Sequence, residues 1–296
     1  MTPQLCLGTA QFGLAYGITN SAGQVSEEAV AELLEQACNV GIRWLDTAQA
    51  YGNAEEVLGR HLPNSHKFQL ISKLKAQPQH AFGPQDTELW EQAYQVSCQH
   101  LGVKRLHSLL LHAPADLRKP GGKYLQDWLL GLRERGLVQR IGLSIYTAED
   151  LEGVIPELLD LVQLPLSLFD QRLLQDGTLA KLRARGTVIH ARSLYLQGLL
   201  LKPAAQWPGW VSPEVLAHQH ALESLALQRG SSLIDLALSF ARDQTDLEGV
   251  VLGVCNVQEL RELQAAWSAT SPWEESEWRL WALKDSTILD PRRWPE

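Results

Sequence analysis

No block of Lys and Arg stands anywhere in the 296 residues, and 26 basic side chains against 34 acidic ones leave a net charge of −8. That balance argues against nucleic acid or an anionic membrane as a partner. No apolar run approaches bilayer-spanning length. The opening MTPQLCLGTAQFG has neither a charged leader nor a long apolar stretch, so no signal peptide is expected. Four cysteines, Cys6, Cys38, Cys98 and Cys255, lie far apart and form no CxxC pair. Reduced thiols in a cytoplasmic protein are therefore expected. Nine histidines include no HExxH and no His/Cys cluster, so no metal is expected. His218 to His220, in the sequence HQH, are expected on the surface of a helix. No Gly-rich phosphate loop follows the first apolar run: the glycines of GTAQFG are five apart and lead into a loop.

What is present alternates. QLCLGT, IRWLDTA, FQLISKL, LHSLLLHAP, QRIGLSIY, LDLVQLP, GTVIHARS and EGVVLGV read as eight short apolar strands, the pattern of strands covered on both faces. Amphipathic stretches separate them. SEEAVAELLEQACNVG opens on Ser26 as N-cap, has acids in its first turn and stops at Gly41; DTELWEQAYQVSCQHLG runs from Asp86 to Gly102. YLQDWLLGLRERG, DGTLAKLRARG, PEVLAHQHALESLALQRG, LIDLALSFARD and VQELRELQAAW supply further helices. Eight strand–helix units without a linker predict a single (β/α)8 TIM barrel over residues 1–296, with a Trp-rich C-terminal segment from about residue 268. A doubly wound sheet is the alternative, and it lacks its phosphate loop.

In such a barrel the C-terminal ends of the strands form the reactive mouth. Asp46 closes the second strand, Lys73 the third and His112 the fourth, and Tyr51 stands in the loop above Asp46. One strand-end aspartate or lysine is ordinary. Four polar groups converging from three consecutive units predict a catalytic site.

These same stretches resemble the aldo-keto reductases. LDTAQAYGNAEEVLG, ISKL and LLLHAP match the three family blocks that carry a catalytic tetrad, and RIGLSIY, VQLPLSLFDQR, ARSLYLQGLLL and GVVLGVCNVQEL match the later cofactor blocks in order. The resemblance runs from Gly8 to about Trp267. It implies metal-free hydride transfer between a nicotinamide dinucleotide and a carbonyl or alcohol. Tyr51 would be the proton donor, because charge builds on the carbonyl oxygen as hydride arrives. Lys73 would lower the tyrosine's pKa, Asp46 would anchor Lys73, and His112 would orient the substrate oxygen. The HARS, FDQR and DPRRW motifs look like a branch linked with carbohydrate pathways, which suggests a sugar or polar aldehyde.

By the same resemblance Gly8, Thr9 and Asp46 would line the nicotinamide side. Ser144 and Gln163 would hold the carboxamide. Ser193, Leu194, Gln197 and Gly198 would lie against the pyrophosphate and ribose, and Gly253, Cys255, Asn256, Glu259 and Glu262 around the adenosine. Three departures stand out. Ile145 follows Ser144 where the family often has Asn. Arg192 replaces the aromatic residue that commonly stacks on nicotinamide, or else pairs with an acid such as Asp170. Cys255 and Glu259 stand where a cation often holds a 2′-phosphate, and Glu259 would repel a phosphate or accept a hydrogen bond from a free 2′-hydroxyl. The helix N-terminus and Asn256 can bind phosphate unaided, so NADP is expected, with NAD usable. Arg192 and Arg172 near the mouth hint at polar or anionic substrates, and Trp207 and Trp210 at pocket walls; Trp273, Trp278 and Trp281 suit core packing. A redox-sensing barrel with little turnover is the competing function. A metal-dependent hydrolase would need more strand-end ligands than His112 and Asp46.

Overall fold

The computed structural model describes residues 2–18, 20, 23–63, 67–269 and 273–295. Eight parallel strands close on themselves in sequence order. They are β1 (Gln4–Gly8), β2 (Trp44–Asp46), β3 (Gln69–Leu74), β4 (Leu106–Leu111), β5 (Val138–Ser144), β6 (Leu161–Pro165), β7 (Val188–Arg192) and β8 (Gly249–Gly253). The chain is therefore a (β/α)8 barrel, and the doubly wound alternative is excluded by closure of β1 on β8.

The helices obey their local signals. Ser26 accepts a hydrogen bond from the Ala29 amide and starts the helix Glu27–Asn39, and the helix Asp86–His100 begins at the expected residue. Gly122–Glu134, Thr178–Ala184, Pro213–Gln228, Leu233–Asp243 and Val257–Ala269 follow, with a helix Ala54–His61 after β2. The fifth unit departs from the expected pattern. Between β5 and β6 the chain forms only the short 3-10 turns Ala148–Leu151 and Pro156–Leu158. Gly153 sits at φ +73° between them, and Pro156 lacks the N–H a continuous helix would need.

Two layers of apolar packing result. The larger lies between strands and helices, with Leu45, Leu109, Ile141 and Val162 facing Leu33, Trp90, Leu129 and Leu182. A small cluster of Cys6, Trp44, Ile71, Leu110 and Leu161 fills the barrel bore. The bore is thus plugged, and the large cavity opens where the strands end. All four cysteines are unpaired. Among the described residues no helix is long and apolar enough to cross a membrane.

His218 to Gln219 correct the surface expectation for HQH. Gln219 is fully buried and donates to the Leu200 and Lys202 carbonyls, and His218 packs between Phe169 and Trp281; only His220 is exposed. A helix wedged between a loop and the C-terminal tail buries two adjacent faces, so neighbouring residues are both covered. The late tryptophans are structural too. Trp273 and Trp278 are buried, Trp281 and Trp294 pack on the core, and Trp207 is buried with its Nε1 donating to the Lys202 carbonyl.

Candidate active site

Strand register sets the floor of the site. Gly8, the last residue of β1, pairs with Asp46 on one side and Gly253 on the other. The two glycines keep this row low, and Thr9 follows, its hydroxyl and amide both donating to the Asp46 carbonyl. Tyr51 is held above by a close backbone approach: a Cβ at Gly13 would run into the Tyr51 carbonyl, and one at Gly52 into the Gly13 carbonyl. Gly52 also sits at φ +57°. Glycine at both positions lets the two loops touch and fixes the ring.

Lys73 is 1% exposed and Asp46 3%. The ammonium donates to both Asp46 carboxylate oxygens at 2.8 and 2.7 Å, to the Thr47 carbonyl at 2.9 Å and to the Tyr51 hydroxyl at 3.4 Å. A single buried cation thus joins Asp46 to Tyr51. Burial alone would push Lys73 down, but Asp46 and Tyr51 outweigh it and hold it above the ordinary lysine value, so it stays charged. Behind it, the Ser72 hydroxyl donates to the buried Glu55 carboxyl and pins β3 to the helix Ala54–His61.

Tyr51 refines the expectation about its acidity. Burial raises its pKa, Lys73 and Arg192 pull it back, and the net direction is upward. Lys73 therefore tempers the rise rather than taking the phenol below its usual value. The hydroxyl keeps its proton at neutral pH, which is the form a donor requires. His112 stacks edge-on to Tyr51 with ring centroids 5.8 Å apart. Burial, then Lys73 and Arg192, lower its pKa to about 4, so the imidazole is neutral and can donate one N–H.

These groups stand at a cavity of about 960 Å3. Asp46, Tyr51 and His112 line it; Lys73 lies just beneath the floor. Gly8, Thr9, Ser144, Arg192, Ser193, Leu194, Gln197, Gly198, Gly253, Cys255, Asn256, Glu259 and Glu262 also line it. Gln163 does not. Its Nε2 donates to Asp46 at 2.5 Å, and its Oε1 is buried without a partner. Its first task is to help anchor Asp46.

The departures resolve individually. Ile145 turns into the helix layer, and its carbonyl accepts from Arg192. Arg192 does not pair with Asp170, which is taken by Arg172 through two hydrogen bonds of 2.8 and 2.7 Å. Arg172 is thereby removed from the pocket, contrary to the expectation that it serves there. Arg192 instead lies over the Tyr146 ring, 4.0 Å from its centroid, with Arg292 at 3.5 Å from the same centroid. No tryptophan lines the cavity, whereas Pro291 and Arg292 of the tail do. The Trp207 and Trp210 expectation is corrected accordingly: both rings are used in packing, against Phe169 and Trp294.

Sequence reasoning missed Tyr146, Arg292, Ser232 and Asp235, all of which line the cavity. Tyr146 ends a block already singled out. Ser232 and Asp235 form a capping box, visible as Ser-x-x-Asp. Arg292 lies in the DPRRW motif, but its place at the cavity could not be read there, because only the return of the tail brings it here. One further feature marks the site. Ser193, Leu196 and Gln197 are the non-glycine residues at positive φ among those described, and they flank Gly198 at φ +97°. Such left-handed backbone is costly and clusters where successive amides must face a ligand.

Among known proteins, the profile described as the aldo/keto reductase family matches residues 4–282, so the chain belongs to that family. It is 32% identical over 148 residues to an aldo-keto reductase of Mycobacterium tuberculosis, covering 48% of each chain. It is 31% identical over 140 residues to one of Mycolicibacterium vanbaalenii, covering 45% of this chain and 46% of that one. The match thus spans about half the length of these curated relatives. Solved structures agree in fold at 21% identity: a putative aldo-keto reductase from Pseudomonas aeruginosa (TM-score 0.65, 90% of each chain) and a glycerol dehydrogenase from Gluconobacter oxydans (TM-score 0.68, 100% of this chain and 93% of that one).

Proposed function

We propose that the protein is a metal-free, nicotinamide-dependent carbonyl reductase in which Tyr51 is the general acid. The observation that carries this reading is the buried Lys73 ammonium bridging Asp46 and Tyr51 at the floor of the cavity. The cavity suits a dinucleotide. Ser144 lines it and offers a hydroxyl for a carboxamide. The left-handed segment from Ser193 to Gly198 presents backbone suited to a pyrophosphate. Bound there, a nicotinamide dinucleotide would supply the hydride.

The chain's own groups do the rest. Neutral His112 donates to the carbonyl oxygen and orients it toward Tyr51. As negative charge develops on that oxygen, the Tyr51 hydroxyl gives up its proton. Lys73, already charged, stabilises the phenolate so formed, and Asp46 keeps Lys73 in place. Asp46 accepts from Lys73 and Gln163, which commits it to the relay rather than to a metal. Arg192 over Tyr146, with Arg292 beside it held by Asp290, puts a cation at the mouth and favours a polar or anionic carbonyl compound, such as a sugar or its acid derivative. The unpaired cysteines support action in the cytoplasm.

The test is absorbance at the nicotinamide band with NADH and NADPH against a panel of aldehydes, ketones and sugars. Turnover that collapses in Tyr51→Phe, with dinucleotide binding kept, is the expected result. Wild-type rates in that variant would remove Tyr51 from the mechanism.

A further inference from the structure

A dinucleotide with its nicotinamide at Tyr51 must extend its other half to the far end of the cavity, beyond β8. That end is formed by the starts of two helices, Leu233–Asp243 and Val257–Ala269. Helix N-termini ordinarily welcome phosphate, because their amides lack partners. At the cap of each of these a carboxylate of the protein itself is seated. Asp235 accepts from the Ser232 amide at 2.8 Å and hydroxyl at 2.7 Å. Glu259 accepts from the Cys255 amide at 2.7 Å and from Asn256 Nδ2 at 3.0 Å, while Asn256 Oδ1 takes the Glu259 amide at 2.8 Å. The amide and the asparagine that could have held a 2′-phosphate therefore hold a carboxylate.

Glu262 adds a third acid to this end of the lining. Among the described residues the lining holds two cations, Arg192 over Tyr146 and Arg292 over the same ring and paired with Asp290, both at the catalytic end. Glu259 itself is exposed and keeps free lone pairs, so it can accept from a ribose hydroxyl as well.

We infer that Glu259, seated on the Cys255 amide and Asn256, makes this protein select NAD(H) and reject the 2′-phosphate of NADP(H). This rests on the dinucleotide reading above and reverses the expectation that Asn256 and the helix start would hold that phosphate. Repulsion between one carboxylate and a dianion at roughly 5 Å in a water-like dielectric corresponds to about tenfold in affinity.

The experiment is equilibrium titration of NADH and NADPH by calorimetry, without carbonyl substrate, on wild type, Glu259→Gln and Cys255→Arg. Wild type should bind NADH about tenfold or more tightly than NADPH. Glu259→Gln should narrow that ratio by about tenfold while still binding NADH, which shows that the variant is folded. Cys255→Arg should narrow it further by supplying a guanidinium. Equal or tighter binding of NADPH by wild type overturns the inference, as does an unchanged ratio in Glu259→Gln. Failure of wild type to bind either dinucleotide instead overturns the reading of the cavity as a dinucleotide cleft, and this inference with it.

Discussion

Replacing Lys73 by methionine separates the two duties of the relay. The side chain is of similar length, and it removes the one cation in contact with Asp46, which is 3% exposed. Asp46 would retain only Gln163 as a side-chain donor. Leaving a buried carboxylate without its partner costs about 3–5 kcal/mol. An unfolding entropy of about 2.1 cal/mol/K per residue over 296 residues is about 0.6 kcal/mol/K, so Tm should fall by roughly 5–8 °C. The double variant Lys73→Met/Asp46→Asn removes the stranded charge, and Gln163 can still donate to the asparagine carbonyl. It should regain most of the lost Tm. Activity should not follow: both variants lack the charge that stabilises phenolate and should lose about 10²–10⁴ in kcat, the usual size of a general-acid contribution. Thermal melts by circular dichroism with steady-state kinetics on both proteins give the answer. A single variant as stable as wild type would show that the pair is not a buried ion pair, and a double variant with restored turnover would show that the lysine charge has no catalytic part.

Further expectations follow from the same geometry. Carbonyl reduction should show no loss of kcat/KM on acidification through pH 6.5, because His112 protonates only near 4; an inflection at 6.5 that vanishes in His112→Gln would contradict its burial. Folding should weaken with acid for a related reason. His190, wholly buried with both ring nitrogens unpartnered, has its pKa lowered to about 3, chiefly by burial. Between about pH 6.5 and 3 the unfolded chain thus binds a proton the native state refuses, so this contribution is present above 6.5 and is lost as pH falls. Denaturant unfolding across that window should give a slope reduced in His190→Gln by up to about 1.4 kcal/mol per pH unit; an unchanged slope would mean the ring is protonated in the fold. Arg292→Gln should raise KM for carboxylate-bearing carbonyls severalfold and spare neutral ones, and a uniform change would assign Arg292 to holding the tail through Asp290 alone.

The barrel, and the gathering of Asp46, Lys73 and His112 at its mouth, were determined by the sequence itself. Short apolar runs separated by capped amphipathic stretches specify β/α units, and placing Asp46, Lys73 and His112 at successive strand ends puts them on one rim whatever the loops do. These are local signals, because strand period and helix caps are written in neighbouring residues. Contacts between distant segments were decided only by the tertiary structure. Arg172 and Arg192 look alike in sequence, yet the first is bound by Asp170 two residues away, and the second lies on Tyr146 beside an arginine from the far end of the chain. Gln163 turned out to brace Asp46 across 117 residues. The spacing of Trp273, Trp278 and Trp281 already suited core packing, but Trp207 and Trp210 carried no such signal, and only the fold placed them against Phe169 and Trp294. At the start of the helix Val257–Ala269, Asn256 and Glu259 were legible as residues, but not which of them would occupy the free amide. The sequence carried Glu259 as an acid at this end, but only the folded turn seats its carboxylate on the Cys255 amide. Hydrogen-bond competition of that kind is a matter of angles and distances, which composition and spacing do not carry.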